Sequence, residues 1–389
     1  VDINMAKGVL LRTHKTALAH GDRANGMYLE SGPGLGKSDA TEQVAQELAQ
    51  ALNEPVGIVT FMLATISSVD VRGFMLPVKT TAGGLDTVFS LPPWMPVKGN
   101  TTVFTPDGKR HEPGGFEGDV PRVGILFLDE FAQAEDDVKK PAAELLYKGQ
   151  VGTARLPKGW RVVAAGNRTK DRSGVMRELM FIVNRRCRLS VDPSLPAWLS
   201  WANAQLPHQR PHYLTMSFAQ KNPDIVFQDA VPAGTDPFCT PRTLCLMDKD
   251  LQALRTEDEA ARGIMPTDAI AREVCAGWIG AGSAAQYFTH LKFNDELPDI
   301  SEVEKDPATA RLPPNRDAQM VCGYMLAHNV TDKNAGKVMT YIKRLSTEMQ
   351  VLTVRAITAQ KDRAAQIVNE KGFSDWIIKN SKLLIASRS

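Results

Sequence analysis

The stretch Gly26–Ser38 (GMYLESGPGLGKS) constrains this chain more tightly than any other part of it. A short apolar segment, expected as a strand, runs into the glycine-rich turn Ser31-Gly32-Pro33-Gly34-Leu35-Gly36. Lys37 and Ser38 follow, and a helical period then extends from Asp39 to Leu52. Strand, glycine-rich turn and a helix opening on Lys-Ser are the context in which a phosphate-binding loop is expected. Glycines at 32, 34 and 36 permit positive φ and an unobstructed backbone, so that several N–H groups converge on phosphate oxygens. The helix adds its own free N–H groups and its positive end. Gly32, Pro33, Gly34, Leu35, Gly36, Lys37, Ser38 and Asp39 are therefore the candidate nucleotide-binding set. Lys37 is expected to reach the β- and γ-phosphates, and Ser38 to hold Mg²⁺. The strict motif begins with glycine where this chain has Ser31.

A second signal is Val123-Gly124-Ile125-Leu126-Phe127-Leu128-Asp129-Glu130. Its apolar run reads as a central parallel strand buried on both faces. Ligands of an open parallel sheet bind outside the carboxyl ends of its strands. Asp129 is thus placed to reach Mg²⁺ through its water shell beside Ser38, and Glu130 to orient and activate an attacking water. Arg161–Asn167 reads as a further buried strand with Asn167 at its exit, positioned to bridge that water and a γ-phosphate. A polar loop, residues 167–174, follows. Arg185, Arg186 and Arg188 are three arginines in four positions. They are either surface charge on an edge strand or, in a ring, a source of one arginine for a neighbouring subunit's γ-phosphate, which the planar guanidinium suits. Thr240-Pro241-Arg242 opens a helix with Thr240 as N-cap and Pro241 in the first helical position. Arg242 would point from that start toward the nucleotide.

Around these motifs the chain reads as follows. A helix is expected over residues 5–20, a buried strand over 55–66, a helix over 133–146, a hairpin over 150–160 and a short helix over 175–181. Residues 74–118 are rich in Gly, Pro, Thr and aromatics with no clear period, which exceeds ordinary loop length. Trp94, Met95 and Phe104 there either face a substrate or channel, or pack back on the core. Pro106-Asp107-Gly108 is a turn signal. Pro193 and Pro196 mark a boundary into a mainly helical region with helices at 244–256, 266–277 and 281–291. Residues 292–318, acidic and Pro-rich, read as a linker or surface excursion. Helices at 318–328 and 333–370 and an amphipathic tail at 373–385 follow. The domain expectation is an α/β core over 1–195 with 74–118 as an insert, a helical lid over 196–300 and a helical extension over 301–389.

At 389 residues the chain is long enough for one large core and a smaller one. A net charge of +2 supplies no strong field for nucleic acid or membrane surfaces. Five scattered cysteines without metal-ligand spacing argue against a disulfide framework or zinc site and suit a reducing compartment. No secretory leader and no apolar run of about 18 residues is present. The expectation is a cytoplasmic protein without membrane association.

These residues resemble the AAA+ ATPases, and among them the MoxR-like or dynein-related branch. Ser31–Ser38 is similar to the Walker A motif, Ile125–Glu130 to Walker B, Asn167 to sensor 1, Asn184-Arg185 to the arginine-finger position and Thr240-Pro241-Arg242 to sensor 2. That branch commonly has an aromatic residue where this chain has Arg186. Ser68–Gly73 resembles the segment before the family's helix-2 insert, which makes 74–118 an expanded insert. The resemblance covers roughly residues 5–290. It implies a P-loop parallel sheet sandwiched by helices with a smaller helical lid, Mg²⁺-dependent ATP hydrolysis at the subunit interfaces of a hexameric ring, and remodelling of a protein partner. A von Willebrand factor A-domain protein is a partner that the branch implies. In this reading Glu130, Asn167, Arg185, Arg242 and Lys37 carry the chemistry, with Ser38 and Asp129 on the metal. A nucleic-acid motor of the same branch and a slow nucleotide-gated scaffold are the alternatives.

Overall fold

The computed structural model describes residues 1–81, 84–168, 171, 180–360 and 363–386. They form two compact units, one of residues 1–193 with 229–231, the other of 194–228 with 232–389.

The first unit is built on a seven-stranded sheet. Its strands in chain order are β1 (Met27–Ser31), β2 (Val56–Met62), β5 (Thr102–Phe104), β6 (Arg110–His111), β7 (Val123–Asp129), β10 (Gly159–Asn167) and β11 (Cys187–Ser190). Two separate hairpins supply β3 (Met75–Lys79) with β4 (Leu85–Phe89), and β8 (Gln150–Val151) with β9 (Ala154–Arg155). The spatial order is β11-β1-β10-β7-β2-β5-β6, parallel from β11 to β2, with β5 and β6 added antiparallel at one edge.

Strands β2, β7 and β10 are apolar at most positions because both their faces are covered, whereas the edge strand β11 is largely exposed. Their period of two sorts the side chains. Ile58, Ile125, Phe127, Val163 and Ala165 join a cluster with Leu10 of helix α1 (Ile3–Ala19) and Val44 and Leu48 of α2 (Lys37–Leu52). Val59, Leu126, Leu128, Val162 and Ala164 join the opposite cluster with Val71 of α3 (Ser68–Arg72) and Val138, Ala142 and Leu145 of α4 (Asp136–Lys148). Helix α4 starts three residues later than the period suggested, because Glu135 is extended and forms its N-cap. Gly57 and Gly124 make room for the Trp160 indole: a Cβ at Gly124 would lie 2.5 Å from it. Trp160 Nε1 donates to the Pro121 carbonyl at 2.9 Å.

Within 74–118, Trp94 is fully buried and donates to the Val71 carbonyl at 2.7 Å, and Phe104 is buried in β5. Both pack back on the core. Strands β3 and β4 are instead exposed along their whole length. Pro106-Asp107-Gly108 turns between β5 and β6, with Gly108 at φ +87°. Of the helix expected at 175–181, residues 175–179 lie outside the described residues; Met180–Val183 is a helical turn, α5.

The second unit is helical. One apolar cluster unites Trp198, Leu244 and Tyr287 with Val321, Ile342 and Phe373. Residues 292–318 are not a bare linker: they contain the helix Ile300–Lys305, and Leu297, Val303 and Ala310 enter that cluster. The long period over 333–370 resolves into helices Ala335–Ile342, Thr347–Thr358 and Ala364–Val368. The first break, residues 343–346, lets both flanking apolar faces, Ile342 and Met349 among them, reach one core. Among the described residues no helix is long and apolar enough to cross a membrane.

Burial depresses the imidazoles of His14, His290 and His328 from 6.5 to about 4. Burial raises the Asp248 carboxyl to about 6. Each histidine stabilises the fold above pH 6.5 and loses that contribution as pH falls toward 4. Asp248 acts oppositely, its contribution lost as pH rises through 6. The histidines outnumber it, and each contributes a slope approaching ~1.4 kcal/mol per pH unit. The urea midpoint is therefore expected to fall between pH 6.5 and 4, and His290→Gln with His328→Gln to flatten that decline.

Candidate nucleotide site

Three adjacent strands, β1, β10 and β7, end together. Ser31 lies opposite Asn167 in the β1–β10 pairing, and Met62 opposite Asp129 in β2–β7. The loop after β1 places Gly34 at φ +73° and Gly36 at φ +77°, the latter as N-cap of α2. A Cβ would strain both positions. Gly32 serves a different need from the one expected of it. Its φ is not positive; a Cβ there would lie 3.1 Å from Nη2 of Arg168, a tight contact that would press on the guanidinium.

Lys37 is 8% exposed. Its Nζ donates to Ser31 Oγ at 3.0 Å, to the Gly32 carbonyl at 3.2 Å and to Asn167 Oδ1 at 3.0 Å. Ser31 Oγ in turn donates to the Gly32 carbonyl at 2.8 Å. The serine in place of the motif's first glycine is thus a ligand of the lysine, a role its departure from the pattern did not disclose. Ser38 Oγ donates to Asp129 Oδ2 at 2.8 Å, and the Glu130 amide donates to Asp129 Oδ1 at 2.9 Å. Lys37, Ser38, Asp129 and Asn167 therefore meet in one place, with Pro33 and Leu35 in the same loop and Asp39 exposed in the first turn of α2.

Glu130 leaves β7 in left-handed backbone, φ +53°. Among the described residues the other non-glycine case is Asn53, which caps α2. A glutamate there costs roughly 1 kcal/mol, and its neighbour Phe131 anchors the turn by donating its backbone N–H to the Ala165 carbonyl of β10 at 2.8 Å.

The arginines divide. The Arg186 guanidinium lies 3.7 Å from the Tyr28 ring centroid and 5.5 Å from that of Phe131, a cation–π contact. Arg188 pairs with Glu30 at 3.6 Å. Arg185 is exposed, 5.9 Å from the Tyr147 ring centroid. Arg242 is exposed at the second position of the helix Pro241–Ala253 in the other unit, and Thr240 caps that helix by accepting from the Thr243 amide at 3.1 Å.

Sequence reasoning passed over Arg168, Asp171 and Asp229. Arg168 is buried, and its Nε and Nη2 donate to the two Asp171 oxygens at 3.0 Å each. Its Nη1 donates to Asp229 Oδ1 and Nη2 to the Asp229 carbonyl, both at 2.5 Å. Burial works against this charge, but the hydrogen bonds and charges of Asp171 and Asp229 outweigh it and hold the guanidinium above its ordinary range. The signal for Arg168 was its position directly after Asn167; Asp229, 61 residues away, offered none.

No protein-family model matches the chain, and no curated protein matches it. Solved structures with a similar arrangement include NtrX from Brucella abortus, at 15% identity and a TM-score of 0.33, covering 94% of this chain and 67% of that one. NtrX in complex with ATP aligns over 97% of this chain and 68% of that one, at 15% identity and a TM-score of 0.34. A RuvB variant from Thermotoga maritima aligns over 75% and 71%, at 15% identity and a TM-score of 0.35. With TM-scores this low, the fold rests on the strand order and pairings above.

Asn tolerates left-handed backbone better than Glu. Glu130→Asn is expected to raise stability by up to ~1 kcal/mol in urea unfolding, whereas Glu130→Gln, with no relief of the backbone, should unfold with the wild type.

Proposed function

We propose that the chain is an AAA+ ATPase that hydrolyses ATP to ADP and phosphate. The observation that carries this reading is the pair of contacts at the strand ends, Ser38 to Asp129 at 2.8 Å and Lys37 to Asn167 at 3.0 Å. They bring a glycine loop, a helix N-terminus, an ammonium and an acid to one point. The residues fit a magnesium nucleotide: Gly34 and Gly36 hold the backbone open for phosphate, and the Ser38 hydroxyl with the Asp129 carboxylate offers the hard oxygen donors that Mg²⁺ takes. Bound there, Mg²⁺ would offset charge on the β- and γ-phosphates.

The chain's own groups do the rest. Lys37 and the loop amides hold the phosphates in place of the acceptors that Lys37 now uses. Asn167, one bond from Lys37, orients the γ-phosphate and the water. Glu130, held by a rigid turn whose amide is fixed on Asp129, polarises that water. Arg185 stabilises charge at a neighbouring subunit's site in a self-associated ring, and its exposure beside the stacked Arg186 favours it over Arg186 for that task. Arg242 acts on the γ-phosphate of its own chain. The finer parts of the proposal are a MoxR-like role in remodelling a protein partner, a hexameric assembly and a von Willebrand factor A-domain partner.

Two substitutions test the roles. Glu130→Gln is expected to bind ATP with wild-type affinity while steady-state phosphate release falls by about 10²-fold or more. Arg185→Ala is expected to lower turnover by ~10³-fold or more and to be rescued in part when mixed with Glu130→Gln subunits, each restoring what the other lacks. Wild-type phosphate release from both single variants would overturn the assignment.

A further inference from the structure

Arg168 has no place in the hydrolysis just described, yet it is buried against the phosphate loop. Its Nη2 stands where a Cβ on Gly32 would meet it at 3.1 Å. Its backbone N–H donates to Asp171 Oδ2 at 3.1 Å, in addition to the paired side-chain bonds. Asp171 therefore fixes the orientation of the guanidinium plane within its own loop, four residues along the chain counting both ends. Asp229 completes the set from a different part of the chain. Residues 229–231 belong to the α/β unit, although the segments before and after them build the helical one. A carboxylate and a carbonyl of that excursion close on the far side of the same guanidinium.

We infer that Asp229 is a positioning residue of the nucleotide site, acting through Arg168 to hold Gly32 and the adjacent Asn167 in register for a triphosphate. The inference rests on the nucleotide reading above. A planar guanidinium donates along separate edges to two sets of oxygens, so Asp171 alone leaves one edge of Arg168 unconstrained. Asp229 closes that edge and stops the guanidinium from swinging away from Gly32. Asn167, joined to Arg168 by one peptide bond, carries the hydrogen bond to Lys37, so a shift of Arg168 moves both the first residue of the glycine loop and the group that faces the γ-phosphate. The 229–231 excursion thereby becomes part of the site, although its sequence shows no nucleotide motif.

The Asp229 side chain is 62% exposed, so its removal leaves no cavity. Binding of a fluorescent N-methylanthraniloyl ATP and of the matching ADP would be titrated in Mg²⁺ for wild type, Asp229→Ala, Asp229→Asn, Arg168→Lys and the Asp229→Ala/Arg168→Lys pair, with Tm recorded for each. Asp229→Ala is expected to weaken ATP binding about tenfold and ADP binding less, at an unchanged Tm, with Asp229→Asn intermediate. Arg168→Lys, which lacks the fork, should weaken ATP binding at least as much, and the double variant no further. Wild-type ATP affinity in Asp229→Ala, additive losses in the double variant, or equal losses of ATP and ADP with a lowered Tm would each overturn the inference. Failure of the wild type itself to bind ATP would overturn the nucleotide reading and this inference together.

Discussion

A buried ammonium must find oxygen acceptors, and that requirement ties the glycine-rich loop to the sheet. Lys37 satisfies it on Ser31, Gly32 and Asn167, so the loop after β1 is fastened to the end of β10. The Ser38–Asp129 bond fastens the start of α2 to the end of β7. Leaving such donors unpaired in a low-dielectric setting would cost on the order of 1–3 kcal/mol apiece. The strand order that places β10 between β1 and β7 is what lets both bonds form at once.

The same sheet order sets where strain is tolerated. Glu130 is held at φ +53° because its amide is bound by Asp129 and the next amide by Ala165. The turn is over-determined from two strands, which is the circumstance in which a strained non-glycine residue persists. The strand interiors show the converse economy. Gly57 and Gly124 give up side chains so that Trp160 can lie across them, and the tryptophan fills the space with a satisfied indole.

The candidate site was legible where chemistry is local. Strand, glycine loop and Lys-Ser helix are consecutive in the chain, and Asp129-Glu130 ends an apolar run, so both halves of the site could be read from spacing. Positive φ was expected at Gly32 as at Gly34 and Gly36, but its backbone does not take it, and what distinguishes the position is the close approach of Arg168. Asp229 was invisible for the same reason: a contact across 61 residues leaves no period. Residues 292–318 read as a linker because Pro and acids dominate their composition, while the few apolar residues that matter, Leu297, Val303 and Ala310, are too sparse to show a pattern. The break between Ile342 and Thr347 was hidden because Val338, Ile342, Leu345, Met349 and Leu352 keep a three- and four-residue spacing across it.

The sequence by itself determined what near neighbours decide through glycine freedom, helix capping and apolar alternation: the Gly34 and Gly36 turn, the Thr240 cap and the buried strands β7 and β10. Only the tertiary structure decided the order of the strands, which of the adjacent arginines stacks on Tyr28 and Phe131, and which acids enclose Arg168. Those outcomes depend on burying apolar faces and satisfying buried charge across long separations, and no property of a single segment encodes them.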